Sequence, residues 1–335
     1  MSIHTQMQEK NKTTKKRKSK KFKIIISIIV VLLIILVAGA TSIYKLYSRA
    51  NRVSINDDKK NLQISDEAEK LAKENKVKNI LLIGSDEGTV DDHGRSDSMI
   101  VISVDRKNKK IKTTSFMRDM LLTLPGIGEK NLNNAYAFGG SELLVKTMNY
   151  NFGLDITDYV KVDFGSFIKI IDKLGGVDID IKQDELQSTN TIIDNLCKGE
   201  LKIEPIFIKK AGVNTLNGMQ ALGYSRNRTT GNDFDRTNRQ RIVLQAVLDK
   251  ISKAGYVDGL KYANDILPDV TTTLSIGEIS DIGQWVVLNK IHTFESNYFP
   301  KSEEAQHVVT NEYHMVVDKE KLKKEVQEYI YNDKR

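Results

Sequence analysis

The sequence predicts an α/β protein: a mixed central β-sheet flanked by helices and preceded by one transmembrane helix. Three observations lead there. Short apolar runs bounded by turn residues, such as Val77 to Ile83 and Met99 to Val104, have the length and composition of buried strands. Segments with helical spacing alternate with them without a repeat period, as expected when helices pack on one sheet. Ile24 to Tyr44 is 21 almost wholly apolar residues. At about 1.5 Å per residue that run matches the roughly 30 Å hydrocarbon core of a bilayer.

The N-terminal residues 1–23 hold nine Lys or Arg against the single acid Glu9. This excess before the span predicts a cytoplasmic basic tail, a membrane anchor over 24–44 and an extracellular remainder. A cleavable signal peptide ending near Ala38-Gly39-Ala40 is the competing reading. The apolar run exceeds the usual signal-peptide core of about 7–15 residues, which favours an uncleaved anchor. The net charge of +7 therefore sits in the tail, and residues 24–335 sum to about −1. A nearly neutral folded part gives no support for nucleic acid as a partner. The only cysteine is Cys197, so the fold must hold by packing without a disulfide, and a zinc site is disfavoured.

Residues 45–76 read as a linker and an entry helix that starts at Ser65-Asp66-Glu67. Val77 to Ile83 is a strand ending in Gly84-Ser85-Asp86. Met99 to Val104 and Ile111 to Phe116 form a hairpin, followed at once by Met117-Arg118-Asp119. A Pro125-Gly126 turn leads into KNLNNAYAFGG, read as a loop, and then a helix from Ser141 to Tyr150. Asp158 to Val162 is a strand, Phe164 to Leu174 a helix stopped by Gly175-Gly176, and Val177 to Ile181 a strand. The polar stretch Lys182 to Glu204 reads as a surface insertion. Helices are expected at 217–224, 233–250, 255–266 and 275–289, and strands at 269–273, 292–298 and 308–316. Asp318 caps a last helix. The boundaries are a main domain over 77–253 and a C-terminal α/β part, 254–335, packed on the same domain.

The chemistry concentrates in YSRNRTTGNDFDRTNRQR, Tyr224 to Arg241. Arginine makes forked, bidentate contacts to phosphate, so this density suggests a polyanionic phosphate ligand, against the bland reading of a solvated basic face. If 233–250 is helical, Arg236, Gln240, Val243 and Val247 share one stripe, which turns Arg236 and Gln240 inward, where an anion must meet the guanidinium. Arg226 and Arg228 share a face of an extended segment, and Arg239 and Arg241 lie off the stripe, in structural or surface roles. Earlier in the chain, Asp86 and Asp97 stand at adjacent strand ends with Arg95 between them. Paired carboxylates suit a hard divalent cation, Mg²⁺ or alternatively Mn²⁺. Arg118 completes the set. No GxSxG elbow, phosphate-binding GxxxxGK[ST] loop or GxGxxG fingerprint is present, so serine hydrolase and nucleotide-binding chemistries are disfavoured.

The series NILLIGSD, RSDSMIVISVD, SFMRDM, NNAYAFGG, YVKVDF, LGGVDIDI, LNGMQALGYSRNR and DFDRTNRQR resembles the LytR-CpsA-Psr family of bacterial envelope proteins over about Lys78 to Asp249. Three positions depart from its pattern: Ser98 in place of Thr, Met117 in place of Pro, and Met120 in place of a small polar residue. The resemblance implies a catalytic domain over 77–253 with a deep apolar pocket for a polyprenyl tail. The implied activity is a phosphotransferase that moves an anionic glycopolymer from an undecaprenyl-pyrophosphate carrier to peptidoglycan through a phosphodiester. Asp86 and Asp97 would hold Mg²⁺, and Arg95, Arg118, Arg226, Arg228, Arg236 and Gln240 would grip the pyrophosphate, with Asp86, Asp97 and Arg118 catalytic. Two other readings are a regulatory module that binds polyprenyl phosphates without turnover, and a hydrolase acting on the same lipid-linked glycan.

Overall fold

The computed structural model describes residues 51–86, 94–228, 233–291, 294–309 and 312–334. The expected tail, 1–23, and membrane span, 24–44, lie outside the described residues. Among the described residues no helix is long and apolar enough to cross a membrane.

The described chain enters through β1 (Asn51–Arg52). The Ser65 side chain accepts the Ala68 N–H and caps α1 (Asp66–Asn75). The strands β2 (Val77–Ser85), β3 (Ser96–Asp105) and β4 (Lys110–Phe116) then form an antiparallel meander. Residues on both faces of these strands are buried, which explains why they read as continuous apolar runs rather than alternating ones. The Pro125-Gly126 turn lies in a hairpin that the sequence did not reveal, β5 (Leu121–Leu124) with β6 (Gly128–Asn131).

The stretch read as a loop, KNLNNAYAFGG, is instead largely helical. Helix α2 runs from Leu132 to Phe152 with non-helical backbone at Gly139 and Gly140. Burial of Leu132, Ala135 and Tyr136 in the main core outweighs the poor helix propensity of asparagine. Gly140 sits at φ 59°, ψ −155°, a conformation essentially reserved for glycine, so the helix kinks there.

Strand β7 (Asp158–Asp163) pairs parallel with β2, and Asp163 caps α3 (Phe164–Lys173). The next strand, β8 (Val177–Ile181), alternates in burial as predicted, but pairs with β9 (Gly212–Leu216) in a small separate sheet. Between them, the expected surface insertion contains α4 (Gln183–Asn195), whose Glu185, Thr189 and Ile193 are buried. The helix escaped detection because two of those three inward residues are polar. Helices α5 (Gly218–Arg226), α6 (Asp233–Lys253) and α7 (Gly255–Ile266) follow close to their expected places. After β10 (Thr271–Thr272) come α8 (Ile276–Leu288), capped by Ser275, and β11 (Phe294–Phe299). The expected strand over 308–316 is a hairpin, β12 (Gln306–Val309) and β13 (Tyr313–Val316), and Asp318 caps α9 (Lys319–Asn332) as expected.

The central sheet has the order β1-β10-β7-β2-β3-β4-β11. It is mixed: β10/β7, β2/β3 and β3/β4 are antiparallel, and β1/β10, β2/β7 and β4/β11 parallel. Residues 254–335 therefore supply strands on both sides of it. One apolar cluster joins Leu81, Ile83, Met99 and Val101 of the sheet to Leu144, Val145 and Met148 of α2 and to Val326 and Ile330 of α9. A second gathers Ile171, Val177, Ile179, Ile193, Leu222 and Val243 from the elements between α3 and α6.

Candidate active site

Helix α6 and the segment after β4 bring the late and early arginines together. Arg118 Nη1 donates to Asp97 Oδ1 at 2.5 Å. Its Nε lies 3.5 Å from Asp119 Oδ1 and 3.9 Å from Asp233 Oδ2. From the first turns of α6, Arg236 reaches the same carboxylates, with Nη1 3.7 Å from Asp97 Oδ1 and Nη2 3.4 Å from Asp233 Oδ1. Arg228 Nε is 3.8 Å from Asp233 Oδ1. Three arginines thus interleave with three aspartates.

Arg236 is 3% exposed. Burial pushes its guanidinium down to about 10, and Asp233 and Asp97 offset that only in part. Burial also acts to lower Arg118, but Asp119, Asp97 and Asp233 outweigh it and its value rises. The Asp119 carboxyl is pushed up, first by burial and further by Asp233, against the pull of Arg118. The Nε–H groups of Arg118 and Arg236 are buried without a hydrogen-bond acceptor among the described residues. Buried donors of this kind call for a partner, and two cationic ones facing carboxylates already shared call for an anion.

The cluster borders a cavity of about 640 Å³ lined in part by Arg95, Arg118, Asp119, Arg228 and Asp233. Asn131, Asn133, Asn134, Glu312 and Tyr313 line the rest. Backbone hydrogen bonds tie these segments together. The Asn133 N–H donates to the Arg118 carbonyl at 3.0 Å, Leu132 to Met120 at 2.9 Å, and Met315 to Asp119 at 2.8 Å.

The sequence-predicted residues take the following places. Asp86 sits where β2 and β3 end at a bulge, its side chain accepting the Arg95 N–H and its own N–H donating to the Arg95 carbonyl at 3.2 Å. Residues 87–93 of that loop lie outside the described residues. Arg95, Asp97, Arg118, Arg228 and Arg236 meet at or beneath the cavity. Arg226 stacks over the Phe164 ring with its guanidinium carbon 4.6 Å from the centroid. Gln240, one turn beyond Arg236 on α6, is half-buried. Neither Arg226 nor Gln240 lines the cavity. Off the predicted stripe, Arg239 has a structural role: its Nε donates to Glu185 Oε1 at 2.9 Å and its Nη1 to the Asn227 carbonyl at 2.7 Å.

Sequence reasoning missed Asp119, Asp233, the three asparagines, Glu312 and Tyr313. Asp119 and Asp233 lie within the motifs SFMRDM and DFDRTNRQR and were within reach of it. Glu312 and Tyr313 arrive from a hairpin nearly two hundred residues away, with no local signal.

Asp86 and Asp97 supply carboxylate oxygens, the donor type that a hard cation such as Mg²⁺ prefers. One oxygen of each is engaged, Asp86 Oδ1 by the Arg95 amide and Asp97 Oδ1 by Arg118. The other oxygen of each is the one a cation would take. Among the described residues no group of three or more His, Cys, Asp or Glu side chains forms a metal cage of its own.

Comparison with known proteins gives concordant results. The LytR_cpsA_psr family profile matches residues 39–330. The regulatory protein MsrR of Staphylococcus aureus (strain COL) is 36% identical over 214 residues, 59% of this chain and 60% of its own. The polyisoprenyl-teichoic acid–peptidoglycan teichoic acid transferase TagV of Bacillus subtilis is 34% identical over 248 residues, covering 70% of this chain and 60% of TagV. The chain thus spans about 60% of the length of these two relatives. The structure of YwtF (TagT) with bound octaprenyl pyrophosphate lipid superposes with a TM-score of 0.58 at 26% identity, over 77% of this chain and 90% of that one.

Proposed function

Because this chain belongs to the LytR_cpsA_psr family, we propose that it is a phosphotransferase. It would move an anionic glycopolymer, of wall teichoic acid or capsular type, from an undecaprenyl-pyrophosphate carrier to peptidoglycan. The observation that carries this reading is the pair of buried, acceptor-less Nε–H groups on Arg118 and Arg236 beside an arginine-lined cavity. A pyrophosphate supplies the oxygens they lack. The name of TagV and the lipid bound to TagT support the same substrate class.

In this mechanism Arg95, Arg118 and Arg228 bind the pyrophosphate from the cavity wall and Arg236 reinforces them from beneath, whereas Arg226, stacked on Phe164, and Gln240 stand outside the cavity lining. Asp97 and Asp233 hold the guanidinium planes in place, so that no side chain must reorganise as charge builds on the phosphoryl oxygens. An acceptor hydroxyl of peptidoglycan attacks the phosphorus that bears the glycan, and polyprenyl phosphate leaves. Asp97 and Asp86 are the candidate acceptors of the hydroxyl proton. Mg²⁺, or Mn²⁺ in its stead, held by Asp86 and Asp97 would supply further neutralisation of phosphoryl charge. Residues 24–44 would anchor the chain in the cell membrane with its basic N-terminus in the cytoplasm and the catalytic domain outside.

The test uses the full chain in nanodiscs with a lipid-linked glycan donor and a peptidoglycan oligomer. A ligated product is expected. Donor consumption without acceptor would instead indicate a hydrolase, and tight binding without turnover a regulatory module. Arg118→Ala should lower transfer on the order of 10²- to 10³-fold, as loss of a preorganised charge-stabilising donor does. Near-wild-type transfer by that variant would overturn the assigned grip.

A further inference from the structure

Between α4 and β9 the chain runs through KIEPIFIKK, Lys202 to Lys210, none of which lines the arginine-rich cavity. Ile203 is 52% exposed, Ile206 62% and Phe207 44%. Three large apolar side chains facing water within five residues mark a contact surface rather than scattered exposure. The backbone that carries them is held at three points. The Ile203 N–H donates to the Cys197 carbonyl at 3.0 Å, and Gln220 Nε2 of α5 donates to the Ile206 carbonyl at 3.1 Å. Asn190 of α4 clamps Ile208 from both sides, its Nδ2 donating to the carbonyl and its Oδ1 accepting the N–H, each at 2.9 Å. Ile208 itself is buried in the second apolar cluster. The exposure of Ile206 and Phe207 is thus built into the fold.

Charge says what covers these side chains. Exposed Lys202 precedes them and exposed Lys209 and Lys210 follow, against the single acid Glu204. This local excess of +2 stands in a chain whose residues 24–335 sum to about −1. Apolar side chains bracketed by lysines suit a bilayer surface, where the apolar groups enter the headgroup–acyl boundary and the ammonium groups meet anionic headgroups. A two-fold contact between copies of the chain would instead set lysines against lysines. Chain length points the same way: residues 45–50, between the expected span and β1, reach at most about 22 Å when fully extended.

We propose that residues 202–210 form a second membrane contact. Ile203, Ile206 and Phe207 dip into the boundary of an anionic bilayer, and Lys202, Lys209 and Lys210 pair with its phosphates. The contact goes beyond the phosphotransferase reading and does not depend on it. Its effect would be to fix one orientation of the domain against the bilayer, which an anchor alone leaves free to turn.

The experiment places the full chain in nanodiscs of phosphatidylcholine, alone or mixed with phosphatidylglycerol, with acyl-brominated lipid as quencher. An apolar fluorophore is attached through Phe207→Cys, since the native Cys197 is buried. Quenching is expected in the discs that contain phosphatidylglycerol. Lys209→Glu combined with Lys210→Glu, at two exposed positions, should lower the ratio of docked to undocked domain roughly 30-fold, about 5-fold for each lysine lost. Absence of quenching in either lipid would overturn the contact. Quenching that is equal in both lipids and unmoved by the lysine changes would overturn the pairing with headgroups. A fluorophore shielded only when several chains share a disc would assign the surface to a second copy and overturn the lipid. Should the chain fail to stay with the discs, the anchor reading falls. The same labelled chain mixed with phosphatidylglycerol vesicles then decides the surface by itself, quenching upholding it and its absence overturning it.

Discussion

Arg236 carries its charge where few arginines are found. Its value of about 10 still leaves it charged at neutral pH. A base whose folded pKa lies below its unfolded one adds stability only at pH above the unfolded value, and loses it as pH falls through about 10. Near neutrality its burial is therefore a constant cost that an anion can relieve. Inorganic pyrophosphate should raise Tm, by about 2.7 kcal/mol of stability at one hundred times its Kd. Arg236→Gln should lose most of that rise, and a variant that kept it would put the anion elsewhere. Asp119 gives the opposite sign. Its pKa is raised from 3.8, so its contribution to stability is complete below 3.8 and is lost as pH rises through the higher folded value. Asp119→Asn should therefore gain on wild type in Tm as pH increases from below 3.8 to neutrality. Parallel curves would mean that Asp119 is not held in a desolvated site.

Helix α4 is held by a buried ion pair in addition to Ile193 in the second apolar cluster. Glu185 and Arg239 are both buried, and Arg239 also binds the Asn227 carbonyl just before the segment that leads into α6. Glu185→Ala should cost about 3–5 kcal/mol in chemical denaturation, because it removes the carboxylate from a buried ion pair. A loss below 1 kcal/mol, the range of an exposed pair, would show that Arg239 finds water instead. The same pair explains what was legible beforehand. Strands β2 to β4, the caps at Ser65, Ser275 and Asp318, and the inward turn of Arg236 announce themselves through apolar runs or local hydrogen-bond chemistry. Helix α4, the first turns of α2 and the β12–β13 hairpin depend on partners far away in sequence. Asn133 reads as a loop former until Leu132, Ala135 and Tyr136 are seen in the core. The arginine half of the site was legible because phosphate chemistry demands an unusual residue type. The amide half was not, because asparagine in a turn-like stretch has many bland explanations.

The sheet order makes the whole described molecule interdependent. β10 lies against β7, and β11 covers β4, so residues 254–335 close both flanks of the strands that carry Asp86, Asp97 and Arg118. Lys112 on β4 ties the two parts together most tightly. It is fully buried, and its Nζ donates to the carbonyls of Tyr329 at 2.8 Å and Ile330 at 3.1 Å near the end of α9. Asp333 lies 3.0 Å and Asp105 3.5 Å from the same atom. A chain ending at residue 253 would expose strand edges and leave this ammonium with Asp105 as its remaining partner among those four. The truncation removes the helix end that covers this ammonium and exposes it to water together with the apolar surface around it, against a typical domain stability of only about 5–15 kcal/mol. Lost apolar contacts between α9 and α2 add to it. The truncated chain should therefore lack fixed near-ultraviolet circular dichroism and a cooperative unfolding transition. Lys112→Met in the full chain takes the ammonium from buried Asp105 but leaves that carboxylate its two hydrogen bonds from Asn108 and leaves the C-terminal strands in place, so it should be destabilised yet keep both signals. A cooperative transition in the truncated chain would show that residues up to 253 form an independent domain, with the C-terminal strands an addition to a finished sheet.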